Sequence, residues 1–428
     1  MHMNDLILVS VDDHIVEPPD LFEGRLSPRA AERAPHVIQT ESGRDVWMFE
    51  GKASPSVGLN AVAGRVPEEW GLDATAFAEM RPGCYDIKER IRDMNANGVL
   101  GSMNFPSLAG FCGQLFYSCT DKDIALELLQ AYNDWHIEDW CGYAPGRMIP
   151  MIVPPVWDPE LMAAEVRRAS EKGCHSVTFS ENPEKLGLPS FHTDHWDPFW
   201  TACCDTETVV NLHIGSSSTM VITSTDAPMD TLMTLQPMNI VLCATDLLWS
   251  PVLRKFDKLK VALSEGGIGW IPYFLERVDH TYINHHYWTN QDFGDKLPSE
   301  LFNERVLTCF IDDSVGMEVR HHLNLDHIQW ECDYPHSDST WPDAPEKVMR
   351  YMEGLPDEDI NRITHLNAMR NYHFDPFAHR PKEQCTVGAL RAEATDVSTE
   401  LVSYGTGKFM DDELVTAVTL SERMAAAR

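Results

Sequence analysis

Four short apolar runs in the sequence each end in side chains that can bind a divalent metal or carry a proton. The segments at these ends are Ser10-Val11-Asp12-Asp13-His14, Leu212-His213-Ile214-Gly215, Leu263-Ser264-Glu265-Gly266-Gly267 and Glu331-Cys332-Asp333-Tyr334-Pro335-His336. A buried carboxylate or imidazole without a partner costs several kcal/mol. Because four such ends are difficult to place separately in an apolar core, the sequence predicts that they share one site.

Apolar, β-branched runs predict eight strands, and segments with helical periodicity lie between most of them. The predicted strands are residues 6–11, 99–105, 148–153, 176–179, 208–213, 260–264, 305–311 and 327–331. The predicted helices are residues 122–141, 159–172, 197–205, 251–256, 271–286 and 344–352. Strands that alternate with helices indicate an α/β protein with a parallel sheet, and eight such units predict a (β/α)8 TIM barrel. The polar segments then fall at the carboxyl ends of strands one, five, six and eight, where that fold has its active site.

Two regions depart from this alternation. Residues 23–97 are predicted to form an insertion after strand one that covers the catalytic face and shapes specificity, and its residues 46–52 alternate like a strand. Residues 381–428 are polar and form a predicted C-terminal extension, which either embraces a neighbouring subunit or is mobile. The barrel domain is therefore expected to span residues 1–380.

The charge balance excludes several classes of partner. With 34 Lys and Arg against 66 Asp and Glu, the net charge is −32, which disfavours nucleic acid and anionic membrane surfaces. The eleven cysteines are odd in number and form no CxxC pair, which favours reduced, buried thiols. No basic leader and no apolar run close to the length of a membrane span is evident, so a cytoplasmic location is expected.

Each polar strand end also has a purely structural interpretation. In a strand, Asp12 and His14 point to one face, where two residues at this spacing can ligate a metal, but a D-x-H tripeptide alone is a weak signal. His213 precedes a tight turn, and the serines at 216–218 could instead cap a following helix. Asp333 ends its strand because Pro335 cannot continue a ladder, and it could instead cap the next helix.

Taken together, the motifs resemble those of the amidohydrolase superfamily. The resemblance is to its aminocarboxymuconate semialdehyde decarboxylase-like branch, also called amidohydrolase family 2, and extends over about residues 6–375. The motifs that carry it are Asp12-Asp13-His14-Ile15-Val16-Glu17-Pro18, Trp196-Asp197-Pro198-Phe199-Trp200, Leu212-His213-Ile214-Gly215, Ser264-Glu265-Gly266-Gly267-Ile268-Gly269-Trp270 and Asp333-Tyr334-Pro335-His336.

The resemblance implies one divalent metal ion, Zn2+ or Mn2+, held by Asp12, His14, His213 and Asp333. Asp12 stands where much of the superfamily has a histidine, and this harder oxygen ligand weakens a preference for zinc over manganese. Residues 176–181 contain no lysine of the kind that bridges two metals in other members, so a single ion is expected.

Glu265 is the main departure from the family pattern, because decarboxylases of this branch usually carry a histidine at the end of strand six. A glutamate could hold the proton that decarboxylation needs only if its pKa were raised. In hydrolysis, Asp333 could accept the proton of a metal-activated water and Glu265 could protonate the leaving group. The residues expected to carry catalysis are thus Asp333, Glu265 and the metal ligand His213.

The predicted function is a metal-dependent hydrolase acting on a small cyclic or aromatic metabolite that carries a carboxylate or an amide. The alternatives are a nonoxidative, metal-dependent decarboxylase of the same fold and a barrel that binds a metabolite without catalysis. His336, Ser216 and Trp270 are expected to support the metal ligands or contact the substrate. By analogy with relatives, the expected assembly is a homo-oligomer, namely a dimer, whose only other partner is a small molecule.

Overall fold

The computed structural model describes residues 1–41, 43–54, 57–70, 74, 76–219 and 221–405. The strands are β1 (Val9–Ile15), β2 (His36–Gln39), β3 (Asp45–Phe49), β4 (Lys52–Ser54), β5 (Gly101–Pro106), β6 (Met148–Ile149), β7 (Ser176–Ser180), β8 (Val209–His213), β9 (Val261–Ser264), β10 (Val306–Phe310) and β11 (Ile328–Trp330). The helices are α1 (Pro28–Ala31), α2 (Ile87–Asn97), α3 (Gln114–Ser118), α4 (Lys122–Trp135), α5 (Pro159–Ser170), α6 (Asp197–Asp205), α7 (Met229–Leu235), α8 (Met238–Trp249), α9 (Val252–Lys255), α10 (Ile271–Thr289), α11 (Pro298–Arg305), α12 (Ser314–Val319), α13 (Ala344–Met352), α14 (Asp357–Asn361), α15 (Asn367–Asn371) and α16 (Val387–Ala392).

Two parallel sheets form the centre of the protein. One contains five strands in the order β11-β10-β9-β8-β7, and the other contains three in the order β1-β5-β6. Each predicted strand position contains a strand, and helices follow most of them along the chain. The predicted α/β class with parallel strands is confirmed.

Both faces of these sheets are buried. Alternate residues such as Val9 and Val11 in β1 or Leu307 and Cys309 in β10 belong to a small cluster on one face. A much larger cluster fills the space between the strands and the helices. Burial of both faces is typical of parallel sheets and explains the nearly continuous apolar runs in the sequence.

Two strands, β1 and β6, differ from the prediction by three or more residues at one or both ends, and the others differ by one or two residues. β1 begins at Val9 and continues to Ile15, so Asp12 and His14 lie inside the strand, next to a break in its register with β5 between Ser10 and Asp13. β6 ends at Ile149 because the next residue, Pro150, has no backbone N–H for a ladder.

Helix α2 was not predicted and lies within the predicted insertion. It begins at Asp86, whose carboxylate accepts hydrogen bonds from the amides of Lys88 and Glu89, and it ends at Gly98 with φ +74°. The strand-like alternation at residues 46–52 corresponds to β3, which pairs antiparallel with β2 and β4 in a separate sheet. The segment between β1 and β5 therefore combines a small antiparallel sheet with a helix.

One segment corrects the expectation about membrane spans. Met229–Trp249, which contains α7 and α8, is long enough to cross a membrane and apolar enough, with a mean hydropathy of 1.2, by length and composition only.

The described part of the C-terminal extension, residues 381–405, packs against its own chain. Val387 donates its amide proton to the Leu6 carbonyl at 2.8 Å, and Arg391 forms two contacts with Glu346 at 2.6 and 2.8 Å.

A buried arginine of α2 ties the start of the chain to the insertion. The Arg90 guanidinium is 1% exposed and donates hydrogen bonds to the carbonyls of Gly83 and His14, both at 2.6 Å. It also lies over the Tyr334 ring at 4.4 Å. Arg90 thereby fixes the backbone at the end of β1.

We expect Arg90→Met to lower the free energy of unfolding by about 3 kcal/mol or more, because each hydrogen bond to a charged group contributes about 1.5–3 kcal/mol. Arg92 on the same helix is a matched control, since its side chain is 39% exposed and its ion pairs lie at the surface. Urea denaturation of both variants measures the difference. Equal destabilisation by the two substitutions would contradict the role of Arg90.

Candidate metal centre

The carboxyl ends of four parallel strands bring the predicted polar side chains together. Asp12 and His14 lie on β1, and His213 is the last residue of β8. Glu265 follows β9 directly, and its neighbour Ser264 pairs in register with His213. Adjacent strands therefore present His213 and Glu265 beside each other.

The turn after β11 supplies the remaining groups, Asp333 and His336. The amide of Asp333 donates a hydrogen bond to the carbonyl of Asp12 at 2.8 Å, which joins this turn to β1. The ring of His336 stacks on the ring of His14 with centroids 3.7 Å apart. The turn thus places two polar side chains directly over β1.

Three carboxylates and three imidazoles surround one small volume. Oxygens of Asp12 lie 3.5 Å from Nε2 of both His14 and His213, and Asp333 Oδ1 lies 3.2 Å from His14 Nε2. Glu265 has one oxygen 3.5 Å from His213 Nε2 and the other 3.7 Å from His14 Nε2. Asp12, His14, His213 and Asp333 are buried, and Glu265 is partly buried at 12% exposure.

His336 completes the cluster. Its Nδ1 lies 2.9 Å from Asp333 Oδ1 and 3.7 Å from Glu265 Oε1. Among the described residues, its Nε2 is buried and has no hydrogen-bond partner. His336 therefore links the two carboxylates and keeps one nitrogen available.

The donor atoms fit a divalent metal ion. Within the described chain, both carboxylate oxygens of Asp12 and of Asp333, and Nε2 of His14 and of His213, are buried without a hydrogen-bond partner. Metal–ligand bonds of about 2.1 Å that meet at roughly 90–110° place two donor atoms roughly 3.0–3.4 Å apart. The observed separations of 3.2–3.7 Å are close to that range. Two overlapping groups have ligand-like spacing: His14, Glu265, Asp333 and His336, and Asp12, His14 and His213.

The turn after β8 fixes the orientation of His213. Its Nδ1–H donates to the carbonyl of Ile214 at 2.5 Å, which directs Nε2 towards the cluster. Gly215 adopts φ +78°, and Ser216 Oγ donates to the carbonyl of His213 at 2.6 Å. The next helix begins only at Met229, so the alternative that these serines cap a helix is wrong.

Two carboxylates that the sequence analysis did not select support this arrangement. Glu181, directly after β7, accepts hydrogen bonds from the amide of Gly215 at 3.0 Å and from the hydroxyl of Ser217 at 2.8 Å. Glu331 is fully buried and accepts a hydrogen bond from the Glu265 amide at 3.4 Å. Their positions at strand ends were a signal, but their partners lie on neighbouring strands and cannot be read from one segment.

Two of the candidate residues have unusual backbone conformations. Glu265 and Asp333 adopt φ values of +57° and +60°, which lie in the left-handed region that residues other than glycine rarely occupy. Asp13 points away from the cluster and accepts hydrogen bonds from the Tyr334 amide at 2.8 Å and from the Ser102 hydroxyl. Such strain persists only where neighbouring contacts hold it, and it is common at functional sites.

The next helix begins at Ala344, so the alternative that Asp333 caps a helix is wrong.

Burial and mutual charge shift the pKa values of the inner pair. Burial raises the pKa of Asp12 to about 6, although the charge of His213 opposes the rise. Burial lowers the pKa of His213, but the charges of Asp12 and Glu265 outweigh burial and raise it to about 10. In these buried surroundings the ionised forms of Asp12 and Glu265 depend on the positive charge of His213, and a divalent cation would supply the same compensation.

The pKa values of Asp333 and Glu265 move in opposite directions. Burial raises the pKa of Asp333 well above its usual range, and the charge of Glu265 adds to the rise. Burial also raises the pKa of Glu265, but the nearby histidines outweigh it and lower this pKa well below its usual range. The two carboxyl groups are therefore suited to share one proton, held by Asp333.

An aromatic wall borders the cluster and was not predicted. The Phe111 ring lies 4.3 Å from the His213 ring and 5.3 Å from the His14 ring, and Phe105 lies 4.7 Å from His213. Trp270, which was expected to support the ligands or contact the substrate, starts α10 and donates to the carbonyls of Gly266 and Gly267. His336, to which the same role was assigned, belongs to one of the groups of ligand-like spacing.

Comparison with known proteins gives one family match. The family model described as amidohydrolase matches residues 31–374. This match begins after the strand that carries Asp12 and His14.

Solved structures share the fold at low sequence identity. An amidohydrolase from Mycobacterium avium subsp. paratuberculosis superposes with a TM-score of 0.65 and 19% sequence identity. The matched region covers 86% of this chain and 97% of the amidohydrolase. A 5-carboxyvanillate decarboxylase from Sphingomonas paucimobilis has a TM-score of 0.60 and 15% identity, covering 86% and 100%. A 5-carboxyvanillate decarboxylase from Novosphingobium aromaticivorans, with bound manganese and 3-methoxy-4-hydroxy-5-nitrobenzoic acid, has a TM-score of 0.58 and 15% identity, covering 87% and 99%.

We expect the purified protein, equilibrated with Mn2+ or Zn2+ and freed of excess ions, to retain about one ion per chain. The double variant His14→Ala, His213→Ala should retain none, because it removes both imidazole ligands. His192→Ala is the control, since His192 is 48% exposed and pairs with Asp246 away from the cluster. Elemental analysis measures the metal, and two tightly bound ions per chain would contradict a mononuclear centre.

Proposed function

The chain belongs to the amidohydrolase family, and we propose that it is a metal-dependent hydrolase of a small cyclic or aromatic metabolite that carries a carboxylate or an amide. The observation that carries this proposal is the buried cluster of three carboxylates and three histidines at strand ends. Proteins rarely bury six such groups together without a bound ion or a reaction that uses them. The aromatic wall of Phe105 and Phe111 supports a flat, partly apolar substrate.

We further infer that the eight parallel strands form one (β/α)8 barrel. Two links between the sheets support this. Ile152 forms a parallel bridge with Val177 in β7, which connects the β6 region to the larger sheet. At the other side, Asp333 donates to Asp12 and Cys332 donates to Ser10 Oγ at 2.8 Å, which connects the end of β11 to β1. Through these links, residues that follow β6 contact β7 and residues that follow β11 contact β1, so the two sheets are in contact at both edges.

In this proposal Asp12, His14, His213 and Asp333 hold the ion. A bound divalent cation supplies Lewis acidity, which polarises a substrate oxygen and makes water a stronger acid. The carboxylate of Asp12, in place of an imidazole, favours a harder ion such as Mn2+. His213 is directed by its hydrogen bond to Ile214 and supports catalysis by holding its Nε2 towards this centre.

We assign proton transfer to Asp333 and Glu265. Asp333 accepts the proton of the attacking water, and Glu265 delivers a proton to the leaving group or positions the substrate. Without an ion, the raised pKa of Asp333 keeps the proton on Asp333, and the lowered pKa of Glu265 leaves Glu265 ionised. With a divalent cation held by Asp333, the pKa of Asp333 would be lower, so that Asp333 could accept the proton of water and pass it to Glu265. His336 lies against both carboxylates and has a free Nε2 suited to hydrogen bonding with the substrate.

Nonoxidative decarboxylation is the second candidate. The similar folds of two 5-carboxyvanillate decarboxylases favour it. Against it, the histidines around Glu265 lower its pKa, so Glu265 begins without the proton that the product carbon needs, and decarboxylation, unlike hydrolysis, has no attacking water to supply one. A cytoplasmic location and a homodimer remain proposals alongside either reaction.

The proposal is tested by incubating the metal-loaded protein with cyclic and aromatic carboxylates and amides while both CO2 and hydrolysis products are measured. We expect hydrolysis, and we expect Asp333→Asn to reduce turnover by about 10²–10⁴-fold because it removes a general base. Asp343→Asn, at an exposed position, is the control. Release of CO2 without hydrolysis would establish the second candidate, and Asp333→Asn activity within about tenfold of wild type would remove Asp333 from the reaction.

Glu265→Gln keeps the size of the side chain but cannot carry a proton. We expect this variant to lose most of its activity, to retain metal and to lose one limb of the pH–rate profile. Glu276→Gln, at an exposed position of α10, is the matched control. Full activity in Glu265→Gln would show that the residue is structural, whereas decarboxylation gained in Glu265→His would indicate a change of reaction from a decarboxylating ancestor.

A further inference from the structure

We propose that residues 398–405, here called the clasp, position the catalytic turn after β11 by holding the inserted segment 60–69, here called the wall segment. This inference rests on the proposed function, because it assigns the clasp a part in keeping Asp333 and His336 in place. The clasp supplies no member of the carboxylate–histidine cluster. Its residues therefore act as positioning residues.

The clasp is joined to the wall segment through the backbone. Val402 pairs with Arg65 as a parallel bridge, and its amide donates to the carbonyl of Gly64 at 2.8 Å. The amide of Val66 donates in return to the carbonyl of Val402 at 3.3 Å. This is a short piece of sheet between residues more than three hundred positions apart.

A buried carboxylate makes the wall segment depend on the clasp. Glu69 is 0% exposed and accepts hydrogen bonds from the amides of Tyr404 and Gly405, both at 3.0 Å, and from the hydroxyl of Ser403. Arg65 is also buried, and its guanidinium nitrogen lies 3.6 Å from a Glu69 carboxylate oxygen. The guanidinium of Arg65 also lies 5.7 Å from the centre of the Tyr404 ring. Without the clasp, Glu69 would lose these donors, and a carboxylate cannot stay buried at low cost without them.

The wall segment in turn forms hydrogen bonds with the turn after β11, which carries Asp333 and His336. The amides of Val62 and Ala63 both donate to the carbonyl of Pro335, at 3.0 and 2.9 Å, and Asn60 Nδ2 donates to Ser337 Oγ at 3.1 Å. Pro335 and Ser337 flank His336 on either side. The position of the His336 ring therefore depends on the wall segment.

A second route connects the clasp to the same turn. Arg81 donates to the carbonyl of Ser398 at 2.9 Å and binds Asp93 through two contacts of 2.7 Å. Asp93 accepts a hydrogen bond from the hydroxyl of Tyr334 at 2.8 Å, and Tyr334 is adjacent to Asp333. Both ends of the clasp thus reach the residues next to the catalytic groups.

The test uses substitution and truncation of the full chain, with hydrogen exchange of the peptide covering residues 58–66 as a readout that needs no substrate. We expect Glu69→Gln to speed exchange of the Val62 and Ala63 amides, because glutamine keeps one accepting oxygen but its NH2 group cannot accept the hydrogen bonds that the other Glu69 oxygen accepts from the clasp. Glu68→Gln, one residue earlier and exposed, is the matched control. A chain ending at Val397 should show the same faster exchange, and a chain ending at Gly405, which keeps the clasp, should match wild type.

On a substrate that wild type turns over, Glu69→Gln should reduce kcat/KM about tenfold or more, since small displacements of catalytic groups cost this much. At saturating metal its metal content should stay at the wild-type level, because three of the four proposed ligands, Asp12, His14 and His213, lie on the strands and only Asp333 lies in the turn. Wild-type exchange of residues 58–66 in Glu69→Gln would overturn the proposed link. Faster exchange with unchanged kcat/KM in Glu69→Gln would overturn the role of the clasp in catalysis. If the wild-type protein bound no metal and had no activity, the proposed function would be refuted instead.

Discussion

The burial of opposite charges at one end of the parallel strands is the constraint on which the site depends. Asp12, His14, His213 and Asp333 are all buried, and each retains at least one donor atom without a hydrogen bond in the described structure. Flexible side chains would relieve this by turning to bond with each other or with water. Here the backbone prevents it. Asp12 and His14 lie within β1, and His213 ends β8, next to a turn held by Glu181. Asp333 follows β11 in a turn held by Asp13. The rigidity of the sheet keeps the carboxylate oxygens and imidazole nitrogens apart, at spacings that suit binding of an ion better than direct hydrogen bonds.

The same rigidity separates two kinds of chemistry within a few ångströms. The side facing β1 and β8 is rich in groups that bind a cation, and the side facing β9 and the turn after β11 holds the carboxyl pair whose pKa values diverge. A substrate that enters between them would meet a polarising centre and a proton donor at once, with Phe111 covering an apolar edge. Hydrolysis and decarboxylation both use such an arrangement, and they differ in which atom receives the proton. The identity of the residue at position 265 therefore bears more on the reaction than do the metal ligands.

The sequence predicted the strands and the members of the cluster, because both depend on local patterns. Apolar runs mark strands buried on both faces, and polar residues at their ends must converge at one edge. It did not predict α2, whose polar composition hides its periodicity, although Asp86 and Gly98 were recognisable start and stop signals. Nor did it predict the stacking of His336 on His14, which follows from the left-handed backbone of Asp333 and the path of a turn. Glu331, Arg90 and Glu69 were missed for a common reason: their partners are distant in the sequence, and no local pattern records them.

The pairing of Glu69 with Ser403, Tyr404 and Gly405 bridges 334 to 336 positions of the chain. During synthesis the amino-terminal part folds first, while the donors that Glu69 needs have not yet been made. The wall beside the catalytic turn can be completed only after Gly405 has left the ribosome. A chain that ends before the clasp would leave the Glu69 carboxylate to be hydrated, whereas the clasp keeps it buried. Burial of this carboxylate therefore waits until residues 403–405 have been synthesised.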